Sequence, residues 1–216
     1  MNPLPLFFII VTLPLLLGGC GGDKKESVTD VKLEEPVAET KPVEEVPLNP
    51  YLKYEIKGDA VTITAFNTRA SGELIIPAAI EGKSVTSIGL SAFWDCRLTS
   101  ITIGNGVTSI GRSAFCMSKS LTSVKMPDSV TSIGRSAFNT CTSLTSITIP
   151  DSVTSIGSNA FKWCESLTAV TFLGDAPKAS NDVFDKAAPT IYRKSEAKGW
   201  GDTFAGRPVK LISEKP

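Results

Sequence analysis

The apolar positions of residues 85–172 recur every 22 or 23 residues. The nonapeptide VTSIGRSAF occurs at residues 107–115 and again at residues 130–138, and near copies begin at Val85 and Val153. A period of this length is typical of a solenoid, in which each coil buries its apolar side chains only by packing on its neighbours. The repetition therefore predicts a stack of coils with one shared core.

The apolar pattern within each coil predicts two short extended segments. In the stretch SLTSITIP, Leu144, Ile147 and Ile149 have the spacing of a strand that enters a core. The proline that follows has no N–H group to donate, so it ends the strand. The next apolar pair of a repeat, such as Val130 and Ile133, predicts a second extended segment on the opposite wall of the coil.

A glycine and then a small polar residue follow the second segment in every repeat. The glycine indicates either a tight turn with positive φ or a close approach of two backbones. The polar residue is of a type that caps helices, so a single helical or 3₁₀ turn is expected to begin there, before an Ala-Phe pair. The glycines are Gly89, Gly111, Gly134 and Gly157, and the polar residues are Ser91, Ser113, Ser136 and Asn159.

Two sets of side chains hold a constant position in the repeats and should form columns along the axis. The phenylalanines are Phe93, Phe115, Phe138 and Phe161, and the cysteines are Cys96, Cys141 and Cys164. Cys116 lies two positions early and breaks the cysteine column. We expect the cysteines to be buried free thiols, because parallel neighbouring side chains rarely offer the dihedral angle of a disulfide; a Cys141–Cys164 bridge is the alternative.

The segments that flank the repeats predict lids for the two ends of the solenoid. Residues 51–84 contain an alternating hairpin around Lys57, Gly58 and Asp59 and then a degenerate first coil, ELIIPAAIEGKS. Residues 85–175 are the regular repeats. Residues 176–216 lose the period and supply large apolar side chains for a C-terminal cap.

These residues resemble the BspA-type leucine-rich repeats, whose pattern is L-x-x-I-x-I-P-x-x-V-x-x-I-G-x-x-A-F-x-x-C. The likeness covers about residues 51–206 and includes cap stretches such as GDAP at residues 174–177. The resemblance implies a β-rich leucine-rich-repeat solenoid of short parallel strands with 3₁₀ or short helical turns, an N-terminal hairpin cap and a C-terminal cap. It also implies a secreted or surface protein that binds other macromolecules, without identifying the ligand.

Composition excludes several classes of function. The chain has 22 basic and 22 acidic residues and no histidine. A neutral chain has no global field that attracts nucleic acid, and the absence of histidine removes the commonest general base and metal ligand. The five cysteines form no Cys-x-x-Cys pair, so we expect no metal, no cofactor and no enzymatic activity. Of the functions considered for this chain, a hydrolase is the least favoured.

The N-terminal residues predict export and a membrane anchor. Residues 1–19 have the short apolar core of a secretory signal, and the stretch LGGC resembles the lipobox of bacterial lipoproteins, in which Cys20 becomes the acylated first residue. No lysine or arginine precedes the apolar run, and the alternative is a buried N-terminal strand followed by a free thiol. Residues 20–50 are rich in proline and glutamate and predict a disordered acidic tether.

The outward positions of the first strand of each coil form the candidate binding face, because solenoids commonly bind ligands on a sheet. The alternative is a solvated sheet that merely carries good β-formers. Trp94 and Trp163 are candidate aromatic anchors, or else only cover the convex edge. Arg112 and Arg135, which share one position in adjacent repeats, could form a small basic pair; the alternative is that they are only solvated surface charges. The predicted face comprises Ser100, Thr102, Ser123, Lys125, Ser146, Thr148 and Thr171, with Ala169 beside them.

The sequence thus predicts a monomeric, lipid-anchored interaction module that presents a wall to a protein or a glycan. Its location would be the outer membrane, the cell surface or the periplasmic face. The alternative is a structural or assembly protein of the envelope that self-associates or packs on envelope components. No nucleic-acid partner is expected.

Overall fold

The computed structural model describes residues 48–215, which form a β-solenoid of about six coils. In this range the only helical segment is a 3₁₀ turn at Ile212–Glu214. No helix among the described residues is long and apolar enough to cross a membrane. The solenoid, its short parallel strands and its two caps confirm the predicted fold class.

Sixteen short strands build the walls of the coils within the described residues. They are β1 (Leu52–Lys57), β2 (Ala60–Phe66), β3 (Ser71–Ile76), β4 (Ala79–Ile80), β5 (Lys83–Ile88), β6 (Arg97–Ile103), β7 (Ser109–Ile110), β8 (Ser123–Lys125), β9 (Ser132–Ile133), β10 (Ser146–Ile149), β11 (Ser155–Ile156), β12 (Ala169–Phe172), β13 (Lys178–Ala179), β14 (Thr190–Arg193), β15 (Thr203–Phe204) and β16 (Arg207–Leu211).

The strands form two walls that face each other across the core. The front wall consists of the sheet β3-β6-β8 and the sheet β10-β12-β14-β16-β15. The second wall is one continuous sheet in the order β1-β2-β5-β7-β9-β11-β13, to which β4 adds through β5. From one repeat to the next the pairing is parallel and in register, so that equivalent residues stack coil upon coil.

A third wall, the turn wall, joins the end of each second-wall strand to the next front strand. It consists of residues 89–95, 111–117, 134–140 and 157–163. Its backbones also form a ladder between coils: the Phe93 N–H donates to the Ala114 carbonyl at 2.7 Å and the Phe115 N–H to the Ala137 carbonyl at 2.7 Å. The turn wall is therefore held at the spacing of neighbouring strands, as the two sheet walls are wherever their strands pair.

The helical turns predicted at the polar residue of each repeat do not form. Ser91, Ser113, Ser136 and Asn159 have φ between 52° and 57°, in the left-handed region. Such a residue cannot be the N-cap of a right-handed helix, because an N-cap has extended backbone. The segment instead makes successive tight turns, such as Ala92 N–H to Gly89 carbonyl and Trp94 N–H to Ser91 carbonyl.

The repeated glycines are needed because neighbouring coils pack closely at these positions, and their φ angles are not positive. A Cβ atom on Gly111 would lie 2.7 Å from the Ile88 carbonyl oxygen, and one on Gly134 would lie 2.7 Å from the Arg112 nitrogen. Real Cβ atoms do not approach backbone atoms so closely, so a side chain here would push two coils apart. Of the two explanations drawn from the sequence, close backbone approach is the correct one.

The phenylalanines form the predicted column, and it is longer than the repeats indicated. Phe93, Phe115, Phe138 and Phe161 are fully buried, and their ring centroids are 5.0, 5.1 and 5.3 Å apart with nearly parallel planes. The rings of Phe66 and Phe184 extend the column at its two ends, at 5.5 and 5.6 Å.

The caps close both ends with apolar side chains. The hairpin of β1 and β2 is antiparallel and pairs with the repeats through β5. At the other end the rings of Phe172, Trp200 and Phe204 lie within 5.4 Å of one another. The Trp200 indole N–H donates to the Gly174 carbonyl at 3.2 Å, which fixes the cap to the last regular coil.

Candidate functional site

The outward residues of the front wall form two straight columns. Pairing places Ser100 beside Ser123, Thr102 beside Lys125, and Thr148 beside Thr171. Ser123, Lys125, Ser146 and Thr148 are exposed, and Ser100, Thr102 and Ala169 are half-buried. These side chains give a polar face of hydroxyl groups with one cation, Lys125, at its middle.

Thr171 does not belong to this accessible face. It is only 8% exposed, because the C-terminal segment passes beside it and Lys215 Nζ donates to its Oγ1 at 3.3 Å. The same ammonium group lies 5.7 Å from the ring centroid of Tyr192, the neighbour of Thr171 in the next strand. The accessible face therefore ends before the last repeat.

The face extends further in the other direction than the sequence repeats predicted. Register pairs Glu73 with Ser100 and Ile75 with Thr102, so β3 continues both columns. Ile75 is 51% exposed and is the large apolar residue of the face. The signal was present in the alternating stretch ELIIP, where Leu74 and Ile76 are buried and the residues between them are not.

The front wall is interrupted near its centre. β8 and β10 are not paired among the described residues, although the second wall is continuous beside them. At this point Val124 stands where the neighbouring strands have the larger Ile101 and Ile147, and Val124 is 9% exposed where Ile101 is 1% exposed.

Several threonine hydroxyl groups outside the two columns are already used within the fold. The Thr131 and Thr154 hydroxyls donate to the carbonyls of Thr108 and Thr131, at 3.1 and 3.3 Å. On the front wall the Thr122 hydroxyl donates to the Thr99 carbonyl at 2.9 Å. These side chains reinforce the coil-to-coil ladder, and their oxygens remain available to a ligand only as acceptors.

The cysteine column is buried, and its thiols are free. The Cys141 and Cys164 thiols donate to the carbonyls of Phe115 and Phe138, at 3.2 and 3.0 Å. Burial raises the pKa of the Cys164 thiol to about 12 and that of Cys141 well above its usual value. Because only the thiolate is a nucleophile, these side chains are structural and unreactive near neutral pH.

A serine fills the gap in the cysteine column that the sequence left open. Ser118 is fully buried, lies 3.2 Å from the Cys96 sulfur and donates to the Phe93 carbonyl at 2.8 Å. It therefore makes the same contact to the preceding phenylalanine as Cys141 and Cys164 do. Its offset from Val107 equals that of Cys141 from Val130, which is the sequence signal that could have identified it.

The two tryptophans named as candidate anchors lie on the turn wall and are open to solvent. Trp94 is 47% exposed and Trp163 is 41% exposed. Lys186 Nζ lies 6.0 Å from the Trp163 ring centroid, at the limit of a cation–π contact. Nearby, Lys162 and Asp185 form an ion pair of 2.7 Å, which holds the pKa of Asp185 below its usual value.

Metal binding has no support in the described part of the chain. Within residues 48–215 no group of three or more potential ligands converges, and Asp128 and Asp151 are exposed corner residues. A cleft of about 650 Å³ there is an open groove beside Asp151, Lys178 and Glu196. The predicted lipidation site, Cys20, lies outside the described residues.

Comparison with known proteins places these features in context. The family model of the BspA type leucine rich repeat region matches six copies over residues 65–190. The crystal structure of a T. pallidum leucine-rich repeat protein has a TM-score of 0.59 and 26% identity, covering 66% of this chain and 68% of that chain.

Two further crystal structures share the fold. A leucine-rich repeat protein from Bacteroides capillosus has 34% identity and a TM-score of 0.53, and the match covers 58% of this chain and 96% of that one. The pneumococcal vaccine antigen PcpA, with 18% identity and a TM-score of 0.50 over 68% of this chain and 49% of that chain, is similar in fold. No curated protein sequence matches at a significant level.

Proposed function

The chain belongs to the BspA-type leucine-rich repeat family, and on that basis we propose that it is a non-catalytic module that binds a protein or a glycan at the surface of a bacterial cell. The family's repeats are typically non-catalytic and serve as protein-binding surfaces. The observation that carries the proposal is the front wall, where strands in register present two columns of exposed polar side chains.

The chemistry of this face fits a partner that is recognised by many small polar contacts. Ser123, Ser146 and Thr148 can each donate or accept a hydrogen bond, and their short side chains lose little rotamer freedom on binding. Lys125 supplies the one cation of the two repeat columns, and Ile75 supplies an apolar contact at one end. Such a face favours a partner that carries an acidic group opposite Lys125.

The binding experiment compares two variants of equal charge change in the full-length protein. The wild type is screened against immobilised matrix proteins, mucins and glycans, and each captured ligand is titrated with Lys125→Glu and with Lys178→Glu. Lys178 is exposed on the second wall, in β13, and is the matched control. Affinity should fall about tenfold or more for Lys125→Glu alone, which corresponds to roughly 1.4 kcal/mol. Equal affinity of all three proteins for every ligand would exclude the front wall as the binding site.

The membrane anchor is a separate part of the proposal. We assign Cys20 as the acylated residue, with residues 21–50 as the tether between the membrane and the solenoid. Several acyl chains, at about 0.8 kcal/mol per buried methylene, hold a protein to a bilayer without a spanning helix. Cys20→Ser should move the protein from the membrane fraction to the soluble fraction and abolish its labelling with a palmitate analogue. Membrane retention of the variant would disprove the lipid anchor.

Sedimentation of the purified protein decides between a binding module and a self-associating envelope component. A constant monomer mass over a wide concentration range supports the binding module. A mass that rises with concentration supports the structural alternative.

A further inference from the structure

The turn wall has a composition different from that of the front wall. Of the large apolar side chains that are exposed within residues 48–215, three lie here: Leu90 at 66%, Trp94 at 47% and Trp163 at 41%. Tryptophan is among the residue types that dominate binding energies when a ligand covers them. The front wall has no tryptophan in its columns, so the two walls suit different ligands.

The turn wall also has an excess of positive charge in a chain whose net charge is zero. Its four regular segments contain Arg112, Arg135 and Lys162, and only one acid, Asp95. Lys162 is paired with Asp185 of the next coil. The two arginines are different: within the described residues, neither side chain forms an ion pair or a hydrogen bond, and both are exposed.

The backbone ladder fixes how these side chains follow one another along the axis. The Ser91 N–H donates to the Arg112 carbonyl at 3.0 Å, and the Ser113 N–H donates to the Arg135 carbonyl at 2.9 Å, so the two arginines stack in adjacent coils. Trp94 precedes them by one coil and Trp163 follows them by one. Three strand spacings, roughly 14 Å, therefore separate the two tryptophan positions along the axis. Within their wall segments the two arginines are the second residue, Trp94 is the sixth and Trp163 the seventh.

This arrangement matches a linear anionic ligand. A half-exposed indole ring is a flat apolar platform for the C–H face of a pyranose ring, and a free guanidinium group binds a carboxylate through two parallel hydrogen bonds. An anionic membrane fits less well, because the apolar residues are not contiguous: Asn139 and Thr140 lie between the two tryptophan coils.

We infer that the turn wall binds an anionic polysaccharide, of the class built from uronic acids, along the axis of the solenoid. The sugar rings stack on Trp94 and Trp163, and the carboxylates pair with Arg112 and Arg135. The inference rests on the proposed binding function and assigns it a second ligand on a wall other than the front wall.

The test uses oligogalacturonate as the anionic probe and neutral galactan oligomers as its uncharged counterpart. Titration of the full-length protein is followed by tryptophan fluorescence and by calorimetry. Oligogalacturonate should change the fluorescence and bind more weakly as salt is added, because exposed charges are screened. Trp94→Ala, Trp163→Ala and the double variant Arg112→Gln/Arg135→Gln should each weaken binding about tenfold or more.

The matched control is the double variant Arg69→Gln/Arg97→Gln, which removes the same charge from exposed arginines outside the turn wall. It should leave the affinity unchanged, and circular dichroism should show that every variant is folded. The inference is overturned if oligogalacturonate does not bind, if galactan binds equally well, or if the tryptophan and arginine variants bind like wild type. Binding of poly-glutamate with the same variant dependence, without binding of oligogalacturonate, would assign the wall to acidic proteins instead.

These outcomes are independent of the front wall. If Lys125→Glu still abolishes capture of a ligand while oligogalacturonate does not bind, the proposed function stands and only the turn-wall inference fails.

Discussion

Removal of one ring from the phenylalanine column is the most direct test of how the solenoid is stabilised. Phe138 is fully buried and lies between Phe115 at 5.1 Å and Phe161 at 5.3 Å. Phe138→Ala deletes the ring from the middle of the column. The variant removes buried apolar surface and two stacking contacts at once.

The expected loss follows from the rigidity of the surroundings. Replacing a buried phenylalanine with alanine costs about 3–5 kcal/mol, and the cost is greatest where the structure cannot close around the cavity. Here the coil spacing on both sides of Phe138 is set by the hydrogen-bond ladders of the second wall and the turn wall, so the neighbouring rings cannot move together. Each lost stacking pair accounts for roughly 0.5–1.5 kcal/mol of this loss. We therefore expect the upper part of the range.

The assay is thermal and urea unfolding followed by circular dichroism. For a domain of this size 1 kcal/mol shifts the melting temperature by about 2–4 °C, so the variant should melt roughly 8–20 °C below wild type. Arg135→Ala, an exposed residue of the same coil, is the control and should remain within about 0.5 kcal/mol. Phe184→Ala, at the end of the column with one ring neighbour, should lose less than Phe138→Ala.

A shift of less than about 2 °C for Phe138→Ala would refute this reasoning. It would mean that the walls hold the coils together without the central rings. An equal loss for Arg135→Ala would show that the effect is not specific to the column.

Three further outcomes are expected. Gly134→Ala should lower the free energy of unfolding by about 1–3 kcal/mol, because its Cβ would meet the backbone of the preceding coil, whereas Gly201→Ala, whose Cβ has no neighbour closer than 3.8 Å, should be nearly neutral in urea unfolding. Burial raises the pKa of the Cys164 thiol from 9.0 to about 12, so the unfolded chain releases this proton first and stability should fall as pH rises from about 9 towards 12. Cys164→Ser should fold, because Ser118 already occupies the equivalent position of another coil, and its stability should no longer fall through the titration of residue 164. An unchanged dependence of stability on pH would contradict the raised pKa of Cys164. Mass spectrometry after brief treatment with a maleimide at pH 7 should find half-buried Cys116 labelled before Cys164, and the reverse order would contradict the observed burial.

The sequence was informative where one residue type repeats at one position. Phe93, Phe115 and Phe138 occupy equivalent positions in successive coils. The period alone therefore places them in one column. The same argument located the strands of the front wall and the outward position of Lys125. Phe66 lies outside the regular repeats and Ser118 is of a different residue type, so residue type alone did not assign them to the columns that they occupy in the structure.

The sequence by itself determined the solenoid, its period and which side chains point into the core, because burial is encoded in the spacing of apolar residues. The tertiary structure decided three other matters: the left-handed backbone at Ser91 and its equivalents, the reason for Gly134, and the burial of Thr171 beneath Lys215. Hydrophobic spacing specifies inside and outside but not the sign of φ. It also cannot show which distant segment will cover a given position, since that depends on how the whole chain packs.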